Sequence, residues 1–419
     1  MIVSFKFKNF KNFKKEVNFS FEKGNKRELS EHIINKNRHS LLPIKVIYGS
    51  NSTGKTNILA ALEVLKNIII TGKVREKADS YIALCSNFSS KKDYEQPVEL
   101  AIEMIINNDT YEYEIKFKNF WNYQKSSILE EKLSENNEMI FERKKNDIKF
   151  STKKSIIDKH YAIFQKKEIV NIYQNQFKEN ILENQTFLNL YQSIDKKITQ
   201  KIENYFSNNI MIIKNIESEK IDLPLELKNK AKTDSKFTNS LVNKLLSELH
   251  QDKIKIYFKK EEENKPVTPI AKYIFSDSND SIETFAEATE SKGTLKLIDI
   301  IEPIVYSLKE GTTLLIDELD SSIHHEIIYS IISAYGDPTI NKKGAQLVFT
   351  THNPVYMNEK LLRRDEIVFV EKNDETSYIH TLDDFDIRKD KKYLKNYLAG
   401  EFTILPNFDL GEIIEDDKN

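Results

Sequence analysis

The chain has 419 residues with 63 Lys+Arg against 65 Asp+Glu and a formal net charge of -2, so it is long enough to bury a large core and carries no global electrostatic footprint for nucleic acid. Cys85 is the single cysteine, which excludes a disulfide framework and a cysteine-rich zinc site and fits a reducing compartment. The opening "MIVSFKFKNFKNF" alternates apolar and charged residues instead of forming an apolar signal core, and no stretch approaches the roughly 20 apolar residues of a membrane span; the expected location is the cytoplasm, with no membrane partner.

In chain order, "KVIYG" reads as a short buried strand, and beyond it Ile58, Leu62, Leu65 and Ile69 recur at helical spacing. Between them lies "GSNSTGKTN", Gly49 to Asn57, which follows G-x-x-x-x-G-K-[ST] with Gly49, Gly54, Lys55 and Thr56 in register. Glycines let backbone N–H groups turn inward around phosphates, Lys55 is long enough to reach the terminal phosphates, and Thr56 brings a hydroxyl to Mg2+. Ser50, Asn51, Ser52, Thr53 and Asn57 complete the expected nucleotide-binding set, because a loop between a strand and a helix N-terminus is an anion site. The bland alternative is a surface turn before a helix. In a chain with only 10 glycines, two at this spacing followed by Lys-Thr argue against it.

"QPVELAIEMIINNDTYEYEIKFKN" alternates apolar and polar residues around "NND" and predicts a β-hairpin. Past about residue 150, "IVNIYQNQFKENILENQTFLNLYQSIDKKITQKIENYFSNN" and "NSLVNKLLSELHQ" have helical periodicity before the strand "KIKIYFKK". Roughly 240 residues separate the phosphate loop from the next motif, too many for one loop, so an inserted domain is expected. The expected division is 1–125, the first part of an α/β head; 126–250, a mainly helical insertion; and 251–419, the rest of the head. Arg143, Lys144, Lys145, Lys149, Lys153, Lys154, Lys159, Lys166 and Lys167, with Phe141, Phe150 and Tyr161 among them, have the composition of a nucleic-acid face. Interleaved acids favour an ordinary solvated surface, and DNA stays open as a partner.

Further on, Glu290, Ser291, Lys292, Gly293 and Thr294 precede the apolar positions Leu295, Leu297, Ile298 and Ile301, as a polar cap precedes an amphipathic helix. Ser291 and the Gly293 N–H are placed to grip a phosphate at that helix start, although a plain cap is the simpler reading. In "GTTLLIDELDSSIHHE" an apolar run ends in Asp317, positioned to orient Mg2+, and Glu318, positioned to polarise an attacking water. An acidic turn that caps the next helix is the alternative. "AQLVFTTHNP" supplies another strand, then Thr350, Thr351 and His352, a histidine suited to bond a γ-phosphate, and Pro354 to end the strand. For His324, His325 and Glu326, solvent or interface contact is the simpler reading than a metal site. "DEIVFVEK" reads as further sheet; then "YLKNYLAGEFTILPNFDL" leads to an acidic tail, "EIIEDD", suited to mobility.

Together these segments resemble the ABC-type ATPase heads of the SMC/RecF/OLD group, and more closely the AAA-type ATP-binding proteins of OLD-like bacterial defence systems. In that resemblance Gly49 to Thr56 is the Walker A loop, Asp317 and Glu318 end Walker B, "ESKGT" stands at the signature, His352 is the switch histidine, "LDSSIHHE" is the D-loop, and Asn9-Phe10 belongs to the first β-hairpin. It covers roughly residues 1 to 120 and 250 to 400. "ESKGT" departs from the full signature pattern. The resemblance implies a P-loop NTPase head of ABC type with a mixed sheet and a helical insertion, using ATP and Mg2+, with Glu318 and His352 catalytic and Thr56 and Asp317 on the metal. It also implies a homodimer or higher homo-oligomer through paired heads, in which Ser291 and Gly293 of one copy close on ATP held by the other. The short span after His352 has no obvious room for a nuclease or Toprim domain, so a separate effector protein, nuclease or toxin, is expected in antiphage defence. A DNA-binding ATPase in repair or chromosome maintenance is the alternative; a transporter ATPase is disfavoured by the long insertion.

Overall fold

A computed structural model describes residues 1–74, 86–87, 89–118, 126–160, 167–214, 235–248, 254–259, 268–278, 280–373, 376–385 and 392–403. Its strands in chain order are β1 (Ile2–Lys8), β2 (Val17–Ser20), β3 (Ile34–Lys36), β4 (His39–Leu41), β5 (Ile44–Tyr48), β6 (Val98–Ile106), β7 (Asp109–Lys118), β8 (Ser127–Glu135), β9 (Glu138–Lys144), β10 (Asp147–Phe150), β11 (Ile210–Ile213), β12 (Ile254–Lys259), β13 (Thr268–Ile274), β14 (Ser281–Phe285), β15 (Thr313–Ile316), β16 (Gln346–Thr350), β17 (Ile367–Lys372) and β18 (Ser377–Thr381). The helices are α1 (Lys55–Thr71), α2 (Lys91–Tyr94), α3 (Lys154–His160), α4 (Lys167–Asn180), α5 (Phe187–Tyr191), α6 (Lys196–Asn209), α7 (Ser235–Glu248), α8 (Ala286–Thr289), α9 (Lys292–Glu310), α10 (His325–Gly336) and α11 (Tyr393–Leu398). The result is a mixed α/β fold.

The sheet that carries the phosphate loop runs β11-β15-β16-β5-β17-β18, parallel from β11 to β17 and closed by antiparallel β18. Every residue of β5, β11, β15 and β16 is buried, as expected of strands covered on both faces. Ile44, Val46 and Tyr48 face one cluster with α9 and α10, whereas Ile47 faces another that includes α1. Ile58, Leu62, Leu65 and Ile69 are all buried on α1, and Lys66 on the same helix donates from Nζ to the Ile210 carbonyl of β11 at 2.7 Å.

A second sheet, β10-β9-β8-β7-β6-β1-β2, is antiparallel throughout and packs its apolar face on α1. The hairpin expected around "NND" is β6–β7, turning at Asn107 with φ of 58°. Gln346 joins the two sheets: its Oε1 accepts from Ile2 N at 2.8 Å, and its Nε2 donates to Ile2 O at 2.9 Å.

The interval 126–250, expected to be mainly helical, opens instead with three strands, β8–β10, that extend the second sheet. "EEKLSE" and "EMIFERK" have period two, and the chain follows that alternation. Helices α3 to α6 follow, and then "IMII" forms β11, which pairs with β15 in the phosphate-loop sheet. Four apolar residues directly after a helix carry no periodicity, so only the partner strand reveals them. The strand from "KIKIYFKK" enters neither large sheet: β12-β13-β14 forms a small antiparallel sheet packed on α7 and α9. Cys85, Tyr161, Lys166 and the tail "EIIEDD" lie outside the described residues.

Candidate functional site

The phosphate loop spans the end of β5 and the first residue of α1. Gly54 has φ of 109°, and a Cβ there would stand 2.2 Å from the Asn12 side chain, so the position takes glycine on both conformational and steric grounds. Asn12 Nδ2 and Ser377 Oγ both donate to the Thr53 carbonyl at 2.6 Å, and Asn57 Nδ2 donates to Asn12 Oδ1 at 2.6 Å. The loop is therefore clamped from the N-terminal segment and from β18. Lys55 Nζ lies on the Gly49 and Ser50 carbonyls at 2.8 and 3.0 Å. Burial pulls its ammonium down to about 8, against the opposing pull of Asp317 and Glu318. Thr53 Oγ1 closes the turn onto Ser50 O at 2.9 Å, while Asn51 and Ser52 are exposed.

Asp317 sits just past β15, with Thr56 beside it although 261 positions separate the two in the chain: Thr56 Oγ1 donates to Asp317 Oδ2 at 2.8 Å. The other carboxylate oxygen accepts from Thr350 Oγ1 at 2.6 Å. A hydroxyl from the start of α1 and a carboxylate from just past β15 are hard oxygen donors, the set that suits Mg2+. Glu318 follows, half-buried, with φ of 48°; a non-glycine residue held there costs about 1 to 3 kcal/mol, which the surrounding contacts must offset. Its N–H donates to Thr350 Oγ1 at 2.7 Å.

His352 stands exposed beyond the end of β16. Desolvation of its ring, with the Lys55 charge adding to it, lowers its imidazole below the usual range, against the pull of Glu318, Asp320 and Asp317. Its neighbour Thr351 donates to Asp320 Oδ2 at 2.8 Å, and Asn353 Oδ1 accepts from Val355 N at 3.1 Å to start the turn at Pro354. Thus Lys55, Thr56, Asp317, Glu318 and His352 stand together at the C-terminal ends of β5, β15 and β16, where open parallel sheets bind ligands.

Ser291 and Gly293 behave differently. Ser291 Oγ accepts from Thr294 N at 3.1 Å, an N-cap of its own helix α9, as the plain reading anticipated. Gly293 faces the loop after β15, where an added Cβ would stand 2.1 Å from Ser322 O. His324 likewise caps α10, its Nδ1 accepting from Glu326 N at 3.3 Å, with the His325 ring stacked on it at 4.3 Å.

Among the basic residues from Arg143 to Lys159, Lys145, Lys149 and Lys154 are exposed, and the others are buried or ion-paired. Arg143 is wholly buried with Glu131, and Phe141 and Phe150 are core residues. Lys144, Lys153 and Lys159 pair with Glu142, Glu138 and Glu135 at 3.5, 2.9 and 2.8 Å. Alternation placed Arg143 on the inner face of β9, a position that composition alone does not reveal.

Sequence reasoning missed Asn12, Ser377 and Lys296, and gave Thr350 no role. Thr350 was the most accessible of these, standing at the end of a recognised strand two residues before His352. The other three act through partners distant in the chain and leave no local pattern. A family model described as "AAA domain, putative AbiEii toxin, Type IV TA system" matches residues 44–358, an interval that runs from β5 through His352. No curated protein matches the chain.

Proposed function

Because the chain belongs to this AAA-domain family, we propose that it is an ATP-hydrolysing molecular switch of the ABC-type, OLD-like kind, whose heads pair around nucleotide and govern a separate effector protein in antiphage defence. One observation carries the ATPase half: Thr56 and Asp317, 261 positions apart in the sequence, meet at 2.8 Å beside Lys55 and Glu318.

Thr56 and Asp317 would hold Mg2+, which when bound neutralises charge on the phosphates during transfer. Lys55 would leave the Gly49 and Ser50 carbonyls for the terminal phosphates, a change its present acceptors permit because they are backbone oxygens of the same loop. Glu318, next to Asp317, would polarise the attacking water, and His352 would bond the γ-phosphate through its neutral ring. Asp317, with both oxygens already engaged by hydroxyls, keeps its orientation before nucleotide arrives.

The pairing of heads rests on the family resemblance of "ESKGT" and on where Ser291 lies. Its hydroxyl is on the exposed start of α9, bonded to Thr294 within its own cap, so a second copy is the natural source of the phosphate it would meet. Effector control likewise rests on resemblance. The DNA-binding alternative receives less support, because Arg143 is buried and Lys144, Lys153 and Lys159 are ion-paired, which leaves Lys145, Lys149 and Lys154 as the other exposed lysines between Arg143 and Lys159.

Glu318→Gln tests the reading. It should bind ATP like the parent chain, lose turnover by roughly 100-fold or more, and accumulate as a dimer with ATP in light scattering. Turnover at the parent rate would remove Glu318 from the chemistry; an inactive variant that stays monomeric at saturating ATP would remove the paired-head model.

A further inference from the structure

Glu318 is held by its backbone at both ends. Its N–H donates to Thr350 Oγ1 at 2.7 Å, and its carbonyl accepts from Lys296 Nζ at 2.5 Å. These contacts fasten a residue whose left-handed φ of 48° disfavours any side chain with a Cβ. Lys296 belongs to α9, and Gly293, three residues earlier, lies on the same helix face. Gly293 approaches Ser322 O so closely that a Cβ would stand 2.1 Å away. Two adjacent positions of one helix face thus address two carbonyls of the loop after β15.

We propose that Lys296 is a positioning residue for ATP hydrolysis, fastening α9 to the backbone of Glu318 so that the carboxylate is aimed into the cleft and any displacement of α9 at its Ser291 end is passed to it. The inference rests on the ATPase reading above and adds how that site is regulated. The route is continuous: Thr56 bonds Asp317, Asp317 bonds Thr350, Thr350 bonds the Glu318 N–H, and the Glu318 carbonyl bonds Lys296. Because Lys296 grips a carbonyl and not the carboxylate, its loss leaves the Glu318 charge in place and changes its aim. Lys55, which would take the terminal phosphates, bonds the Gly49 and Ser50 carbonyls and stands outside this route.

Steady-state MgATP hydrolysis and equilibrium binding of a fluorescent ATP analogue on the full chain test this, using Lys296→Met, Lys296→Gln, Lys296→Arg and Glu318→Gln beside the parent. Lys296→Met should lower kcat roughly 10-fold or more while KM and analogue Kd stay within about 2-fold, and Lys296→Arg should restore most of the rate by restoring a charged donor. Lys296→Gln serves the same comparison if the methionine variant fails to fold. Parent-level turnover in the folded Met or Gln variant, with Glu318→Gln inactive, overturns the inference and leaves the ATPase reading intact. Loss of analogue binding in parallel with kcat, in Arg as in the others, assigns Lys296 a general structural role and also overturns it. Absence of turnover in the parent chain overturns the ATPase reading and this inference with it, whereas full turnover in Glu318→Gln removes Glu318 from the chemistry and overturns this inference alone.

Discussion

The outer face of the antiparallel sheet and the C-terminal edge of the parallel sheet are both dense in charge, and they dispose of it in opposite ways. Across the antiparallel sheet one row of directly facing residues reads Lys8, Glu99, Lys116, Glu130, Lys144, Asp147, alternating in sign over six strands. Lys8 and Lys116 each reach Glu99 at 3.3 Å, and in the next row Lys132 reaches Glu114 at 2.7 Å. Cross-strand register neutralises that face locally. At the edge of the parallel sheet, Asp317 and Glu318 are adjacent in sequence, the nearby Lys55 ammonium is bonded to carbonyls, and hydroxyls engage Asp317. Charge balanced by register belongs to the scaffold; carboxylates beside a cation that does not close on them mark a place where another charged group is accommodated.

The strongest way to break this contrast is to alter the edge. Asp317→Asn should reduce MgATP turnover roughly 100-fold or more, and raising the Mg2+ concentration should recover part of it; unchanged turnover at limiting Mg2+ would show that Asp317 is scaffold like the ladder residues. On the inner face of the antiparallel sheet, Arg143 and Glu131 are fully buried, 3.8 Å apart. Glu131 also accepts from Phe187 N at 2.6 Å, and burial pushes its carboxyl up. Arg143→Met should therefore cost about 3 to 5 kcal/mol in denaturant unfolding, because it strands a buried carboxylate, with nucleotide affinity of the folded protein unchanged. A loss confined to affinity would place Arg143 in the wrong region.

A third test sharpens the comparison through protons. The Lys55 ammonium, pulled down to about 8 from 10.5, is partly neutral above that pH in the folded chain yet still charged in the unfolded one. Between those two values the unfolded state binds more protons, so this group's contribution to stability rises with pH. Phosphate favours the charged form, so ATP binding at pH about 8.5 should take up protons, by an amount that falls off toward neutral pH. Calorimetry in buffers of different ionisation heat measures the uptake, and Lys55→Met should abolish it. The smallest effect belongs to the ladder: Lys132→Gln should cost less than about 1 kcal/mol and leave turnover unaltered, and a larger loss would mean that the outer face does more than balance itself.

The phosphate loop was legible because its chemistry demands consecutive residues: Gly49, Gly54, Lys55 and Thr56 form one turn, and the strand and helix on either side announce themselves by periodicity. Asp317, Glu318 and His352 were legible as ends of apolar runs, which is where open sheets expose side chains. The boundary at 125/126 was not, since β8 to β10 continue a sheet by pairing with β7, and pairing is a property of two segments. Nor was β11, four apolar residues that acquire meaning only beside β15.

By itself, then, the sequence determined the local chemistry: which residues can turn around a phosphate, which apolar runs form β5, β15 and β16, and where carboxylates stand at strand ends. Tertiary structure alone decided which of those groups meet. Thr56 reaches Asp317, Asn12 clamps Thr53, and Lys296 grips Glu318 because hydrogen bonds depend on distance in space, and contacts between remote segments impose no repeat on the chain that a reader of one sequence can follow.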